Sequence, residues 1–207
     1  TVGDGAPVES REIAILDTAG LLTPATVLAH AIHMSEGEMQ RVAETGTAVA
    51  HCPYSNAYFG NGVLPVRRLV SSYRSAGQAV KIGLGTDVAG GPSPTMLSAI
   101  RWSVAASHML QDGVDRFDTH GAAVGGAVGG GAVPCESLSP QSGPMPPAHP
   151  GAAIGLKEAV WMATVGGARA LALDDTIGCF RPGLEFDALL IDPNQGTLDL
   201  FMDTDSS

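Results

Sequence analysis

The chain has 207 residues, of which 44% are hydrophobic and 15% are charged, so it can bury a sizeable core. It carries 11 lysines and arginines against 21 aspartates and glutamates, and the formal charge of −10 repels phosphates and anionic lipid. It contains no uninterrupted run of about 18 apolar residues, which a membrane span would need. We therefore expect neither nucleic acid nor a membrane as a partner.

The cysteines indicate a reducing compartment. Cys52, Cys135 and Cys179 are odd in number and widely spaced, so they form neither a disulfide framework nor a CxxC metal pair. We expect a cytoplasmic protein. The first residue is Thr1, and the opening "TVGDGAPVES" has neither the basic start nor the apolar centre of a signal peptide. The expectation is that the natural start lies upstream or was removed.

From residue 23 onward, short apolar runs alternate with helical patterns. "TVLAH", residues 26–30, is predicted to be a buried strand. "SEGEMQRVAETG" follows with Ser35 as the N-cap, Glu38 as its capping-box partner and Gly46 as the stop, which predicts a helix. The first unit is therefore a strand followed by a helix.

Two further units repeat this order. "TAVAH", 47–51, predicts the second strand, and the stretch 52–62 is rich in turn residues. A helix closed by a glycine is predicted over 63–77. The third strand is predicted over 79–87 and its helix over 95–110. Three successive units of this kind indicate parallel strands joined by right-handed crossovers.

Each predicted strand ends on a side chain able to do chemistry, namely His30, His51 or Asp87. In parallel α/β folds, ligands gather at the carboxyl ends of the strands. The alternative is that each residue is an ordinary helix or turn cap. Three in succession favour a functional site, because Asp and His are poor endings for a buried run.

The second half of the chain breaks the pattern. Residues 111–155 are rich in Gly, Pro and Ser without periodicity, which indicates a flexible insertion; its His120, Cys135 and His149 match no zinc template. A helix is predicted over 156–173, with Gly166 and Gly167 where another element packs closely. A turn at Pro182 and Gly183 then leads to a predicted strand, "FDALLID". The chain is predicted to have five parts: a lead-in (1–22), three strand–helix units (23–110), the insertion (111–155), a C-terminal barrel helix (156–176), and a β-unit with an acidic tail (177–207).

Five segments resemble one known family. "LLTPATVLAHAIHMSEGEM", "AHCPYSN", "KIGLGTDVAGGPSPTMLSAIR", "KEAVWMATVGGARALALDDTIG" and "RPGLEFDALLID" resemble the carboxyl-terminal half of guanine deaminases, which are amidohydrolases. The resemblance implies an α/β fold: the last three units of a (β/α)₈ barrel, with a C-terminal segment of a small β-sandwich. It also implies one zinc ion, a purine substrate and hydrolysis of guanine to xanthine and ammonia. Members are often dimers, which leaves a homodimer open.

The resemblance also implies roles for individual residues. Asp87 matches the aspartate that ligates zinc and takes a proton from the attacking water, and it contacts substrate. His30 matches a histidine that orients that water. His51 matches a pocket histidine, with a structural role as the open alternative, and Gly90 lets the backbone run close to substrate. Cys52 is expected to be a small buried thiol rather than a nucleophile.

Other parts of the family pattern cannot be found. Members carry an HxH pair, a further zinc histidine and a glutamate three residues beyond it, and the nearest match, His33 with Glu36, follows the wrong strand. We therefore expect an incomplete chain that is inactive alone. The alternatives are another amidohydrolase acting on a different amino-heterocycle, a non-catalytic remnant acting as an interaction module, and an unrelated α/β fragment.

Overall fold

The computed structural model describes residues 10–71, 79–113 and 151–190. Each strand is followed by one or more helices along these ranges, and a π-helical turn joins the last two helices. In chain order the elements are α1 (Ser10–Thr18), β1 (Val27–Ala29), α2 (Glu36–Thr45), β2 (Ala48–His51), α3 (Pro53–Tyr58), α4 (Val66–Ser71), β3 (Lys81–Leu84), α5 (Met96–Gln111), α6 (Leu156–Trp161), the π turn (Met162–Gly166) and α7 (Gly167–Ala170).

The three strands form one parallel sheet in the order β1-β2-β3. Leu28 pairs with Val49, and Val49 pairs with Ile82, so the central residues of the strands lie in register. Each strand falls inside the range predicted for it, and the α/β class and the parallel pairing are confirmed. The carboxyl ends of all three strands therefore meet at the same edge of the sheet.

The prediction that all three strands are buried is wrong for β1. β2 and β3 are largely buried, whereas β1 is exposed or half-buried along its length, and Val27 is 38% exposed. Both β1 and β3 lie at edges of the described sheet, but β3 is covered where Gly83 packs against Gly167, whereas the outer side of β1 has no strand partner there.

The caps predicted for α2 are confirmed. The Ser35 hydroxyl accepts from the Glu38 backbone N–H, and the Glu38 carboxylate accepts from the Ser35 backbone N–H. Gly46 ends the helix at φ 69°, in the left-handed region that glycine adopts at little cost. Such an N-cap contributes about 1 kcal/mol to stability. These caps fix where the chain enters β2.

The core lies between the sheet and its helices. Its buried side chains come from α2, α4, the strands and the π turn, and include Met39, Val42, Val49, Leu69, Ile82 and Met162. The backbone of β3 lies very close to the backbone at the end of the π turn and the start of α7. A Cβ added at Gly83 of β3 would lie 2.9 Å from Gly167 Cα, and one added at Gly166 would lie 2.5 Å from the Ile82 carbonyl oxygen. The predicted close packing at Gly166 and Gly167 is thereby confirmed.

Two predicted elements are corrected. The stretch predicted as turns contains the helix α3, which Pro53 starts at its first position, where proline fits without losing a hydrogen bond. The predicted strand "FDALLID" is not formed over its described part, 186–190, where Phe186, Leu189 and Leu190 are each more than four-fifths exposed. A strand needs a partner, and none pairs with this segment among the described residues.

Some predictions lie partly or wholly outside the described residues. These are the end of the helix predicted over 63–77, the acidic tail, and most of the insertion with its His120, Cys135 and His149. The last residues of the predicted insertion are described, however, and Ile154 is buried against α5, where its backbone N–H donates to Ser107 Oγ. A helix missed in the predicted lead-in, α1, lies against α2 through an ion pair between Asp17 and Arg41.

Among the helices of the described ranges, none has both the length and the apolar character needed to cross a membrane.

Candidate active site

His30 and Asp87 lie side by side at the carboxyl edge of the sheet. His30 directly follows β1, and Asp87 comes three residues after β3. The distance from His30 Nε2 to Asp87 Oδ2 is 4.0 Å, and about a third of each side chain is exposed. This separation is too long for a direct hydrogen bond, but a single oxygen atom can bridge it. The two side chains are thus available to a small ligand at this edge.

The backbone is strained at both residues. In the described part of the chain, five residues other than glycine have a positive φ, and four of them are His30, Ala31, Asp87 and Ala89. Histidine and aspartate tolerate the left-handed region better than most residues, whereas alanine does not. Strain of this kind costs of order 1–3 kcal/mol per residue and concentrates at functional sites.

Two side chains of helix α3 bond to Asp87 and His30. Ser55 Oγ donates to Asp87 Oδ2 at 2.5 Å, and His30 Nδ1 lies 2.8 Å from Asn56 Oδ1. Ser55 and Asn56 are each 1% exposed. Both residues fall in the stretch 52–62, which the sequence predicts as turns, so the pattern did not reveal these side-chain contacts. The available signal was the proline of "PYSNAY" with no glycine in the next five positions, which is typical of a helix start.

Helix α3 is itself held by an aromatic contact. The rings of Tyr54 and Trp102 stack with centroids 4.6 Å apart and planes 11° from parallel, which joins α3 to α5. A pair of this kind contributes about 0.5–1.5 kcal/mol beyond its buried area. The bonds to His30 and Asp87 therefore come from a fixed helix and not from a loose loop.

His51 and Cys52 lie behind this edge. His51 is 1% exposed, and burial lowers its pKa to about 3, with the charge of His30 acting in the same direction. The imidazole is thus neutral, and its Nδ1 has no hydrogen-bond partner among the described residues. Burial, and then the charge of Asp87, raise the pKa of the Cys52 thiol. A raised pKa disfavours the thiolate, as expected for a thiol that is not a nucleophile.

Glycines shape the loop that carries Asp87. A Cβ at Gly90 would lie 3.0 Å from Asp87 Oδ2, and one at Gly91 would overlap the Thr86 carbonyl oxygen. The Gly91 N–H donates to the Asp87 carbonyl oxygen, which closes the turn. Both glycines therefore leave room around the aspartate. His33 lies in a turn after β1, as expected for a loop residue.

The described residues do not form a complete metal site. Within residues 10–71, 79–113 and 151–190, no three side chains of His, Cys, Asp or Glu come together where one ion would contact them all. Catalytic zinc usually has three protein ligands and a water. Asp87 and the neighbouring His30 fall short of that number, so these residues alone do not fit a zinc ion.

A cavity of about 370 Å³ lies elsewhere, between α4 and α6, and does not border His30 or Asp87. Its walls are mainly apolar and include Val66, Val70, Ile154 and Trp161.

Residues 5–122 match the amidohydrolase family. The guanine deaminase of Mus musculus is 36% identical over 189 residues, which cover 90% of this chain and 33% of the mouse protein. The solved structure of E. coli guanine deaminase is 26% identical with a TM-score of 0.59, covering 89% of this chain and 32% of that one. The structure of an adenosine deaminase from Xanthomonas campestris with bound zinc is 25% identical with a TM-score of 0.57, covering 84% and 30%. The chain thus spans about a third of the length of the relatives it matches.

Proposed function

The chain belongs to the amidohydrolase family, and from that membership we propose that it is part of a guanine deaminase, which hydrolyses guanine to xanthine and ammonia. One observation carries the proposal: His30 lies beside Asp87, at strand ends, in a chain whose 36% identical relative is a guanine deaminase. The activity belongs to a polypeptide or assembly that supplies the rest of the enzyme.

The architecture we propose is the last three units of a (β/α)₈ barrel with a segment of a small β-sandwich. The half-exposed edge strand β1 supports it, because a neighbouring barrel strand would cover that edge. The exposed apolar side chains of Phe180, Phe186 and Leu190 support a second contact, since a further β-unit would bury them.

Asp87 and His30 carry the chemistry in this proposal. Water adds to the ring carbon that bears the amine, and Asp87 accepts the proton that the water loses. His30 orients the water from the other side, 4.0 Å from the carboxylate. The proton then passes to the amine nitrogen, the carbon–nitrogen bond breaks, and the nitrogen leaves as ammonia. Ser55, whose hydroxyl donates to Asp87 Oδ2, holds the carboxylate in place.

Gly90 and His51 shape the pocket in this proposal. Gly90 keeps space open beside the Asp87 carboxylate, where a side chain would crowd a substrate. His51 is buried and neutral, so in this proposal it shapes the pocket by packing beneath its surface.

The proposal includes one zinc ion, with Asp87 as its ligand from the described residues. Zinc would supply a water of lowered pKa. The substrate is a small purine and the location is the cytoplasm, which the unpaired Cys52 and Cys179 support.

A second candidate is deamination of another amino-heterocycle, which the likeness to the adenosine deaminase structure favours. The test is a substrate panel on the polypeptide that contains these residues in its source cells. Guanine, adenosine and an aminotriazine are compared by ammonia release, and zinc is measured after dialysis. The proposal predicts zinc retention and the highest kcat/KM for guanine. Zinc retention with a higher kcat/KM for another amine would transfer the assignment to that substrate class, and absence of any deamination would refute it.

A further inference from the structure

Asn56 is a buried polar side chain that contacts a candidate catalytic group directly. Its Oδ1 lies 2.8 Å from Nδ1 of His30, and the residue is 1% exposed. Its other amide atom, Nδ2, has no partner among the described residues. A buried amide that leaves its N–H₂ unpaired is destabilising. Within the described ranges, the Asn56 side chain makes its hydrogen bond to His30.

The chemistry of the two groups sets the position of a proton. An amide oxygen only accepts hydrogen bonds, so Nδ1 of His30 must be the donor at this contact. A neutral imidazole carries one N–H, and with that N–H on Nδ1 the other nitrogen, Nε2, has a bare lone pair. Nε2 is the atom that faces Asp87 Oδ2 across 4.0 Å.

We propose that Asn56 is a positioning residue that holds His30 in the Nδ1–H tautomer, so that Nε2 and Asp87 Oδ2 are two hydrogen-bond acceptors facing one small gap. One water oxygen can lie about 2.8 Å from each of the two acceptors and so bridge that gap. A water there donates one hydrogen bond to each acceptor, which turns its lone pairs away from both and toward a substrate. The consequence for catalysis rests on the proposed function, whereas the tautomer does not.

The rest of helix α3 supports this role. Ser55, the preceding residue, donates to Asp87 Oδ2, so neighbouring residues of one helix fix the two acceptors separately. The stack of Tyr54 on Trp102 holds the helix that carries both contacts.

The test is a nitrogen NMR measurement on the 207-residue chain with ¹⁵N-labelled histidine, in alkaline buffer where an imidazole is neutral. The His30→Gln variant assigns the His30 signals. We expect the wild type to carry the proton on Nδ1 of His30. Asn56→Asp keeps an acceptor at that position and should keep the tautomer, whereas Asn56→Leu should lose the Nδ1–H form in favour of Nε2–H.

The control is Ser103→Ala, which removes another buried polar atom, on α5, whose Oγ has no hydrogen-bond partner within the described ranges. It should leave the His30 signals unchanged. A wild-type proton on Nε2, or an unchanged tautomer in Asn56→Leu, would overturn the inference. If Asn56→Leu does not fold, the wild-type and Asn56→Asp spectra still decide. Because no substrate is present, a failure here is distinct from a failure of guanine deamination.

Discussion

The contact between β3 and the π turn makes Gly166→Ala a sharp test of the packing. The added Cβ would lie 2.5 Å from the Ile82 carbonyl oxygen and 3.0 Å from a ring carbon of Trp161. Overpacking costs about 1–3 kcal/mol, and a backbone oxygen in a paired strand places this site at the upper end. Alanine in place of helical glycine returns about 1 kcal/mol. The net expected loss is about 2 kcal/mol in the free energy of unfolding, or about 4–8 °C in Tm for a chain of this size.

The matched control is the next residue. Gly167 has the same helical backbone, with φ −61° and ψ −46°, but a Cβ there would meet only the Met162 carbonyl oxygen, at an ordinary 3.5 Å. Gly167→Ala should therefore gain about 1 kcal/mol from helix propensity and raise Tm. Thermal unfolding followed by circular dichroism measures both variants. The packing argument is refuted if Gly166→Ala is as stable as Gly167→Ala.

Two further predictions concern buried polar groups. Ser107→Ala should lower the free energy of unfolding by about 1–3 kcal/mol, because the buried Ile154 N–H loses its acceptor. Ser103→Ala, one turn earlier on α5, should change the free energy of unfolding little, since its Oγ has no partner among the described residues. Urea denaturation measures both variants, and equal losses of stability for Ser107→Ala and Ser103→Ala would contradict the account. The pKa of His51 is about 3 in the folded chain, against its ordinary value of 6.5 in the unfolded chain. Between these two pH values the unfolded chain therefore binds one more proton than the folded chain. Between pH 6.5 and about 3, this group should lower the free energy of unfolding by about 1.4 kcal/mol for each unit by which the pH falls, and His51→Gln should remove that contribution. Parallel pH dependences for the two proteins would show that His51 is not the cause.

The pairing of His30 with Asp87 was predictable from sequence. Both follow short apolar runs that alternate with helices, and parallel strands bring their carboxyl ends to one edge. The caps of α2 were predictable for a similar reason, because Ser35 and Glu38 interact within one turn. Local patterns therefore located the three strands, helix α2 and two side chains of the candidate site.

The remaining features depend on contacts between distant parts of the chain. Ser55 and Asn56 fall in a stretch predicted as turns, but they bond side chains 32 and 26 positions away. The exposure of β1 depends on which other segments cover it, and an apolar run in the sequence does not show that. "FDALLID" has the alternation of a strand, yet its described residues lack a partner. Spacing along the chain cannot reveal any of these.

The central claim is that Asp87 and His30 belong to the active site of a guanine deaminase. The most direct measurement is xanthine formation by a hybrid in which residues 10–190 of this chain replace the matching third of E. coli guanine deaminase. Zinc content and unfolding curves are recorded on each hybrid. We predict guanine turnover by the hybrid and its loss in the Asp87→Asn variant with the fold retained. A folded, zinc-loaded hybrid that forms no xanthine, or an Asp87→Asn variant that is as active as its parent, would contradict the account.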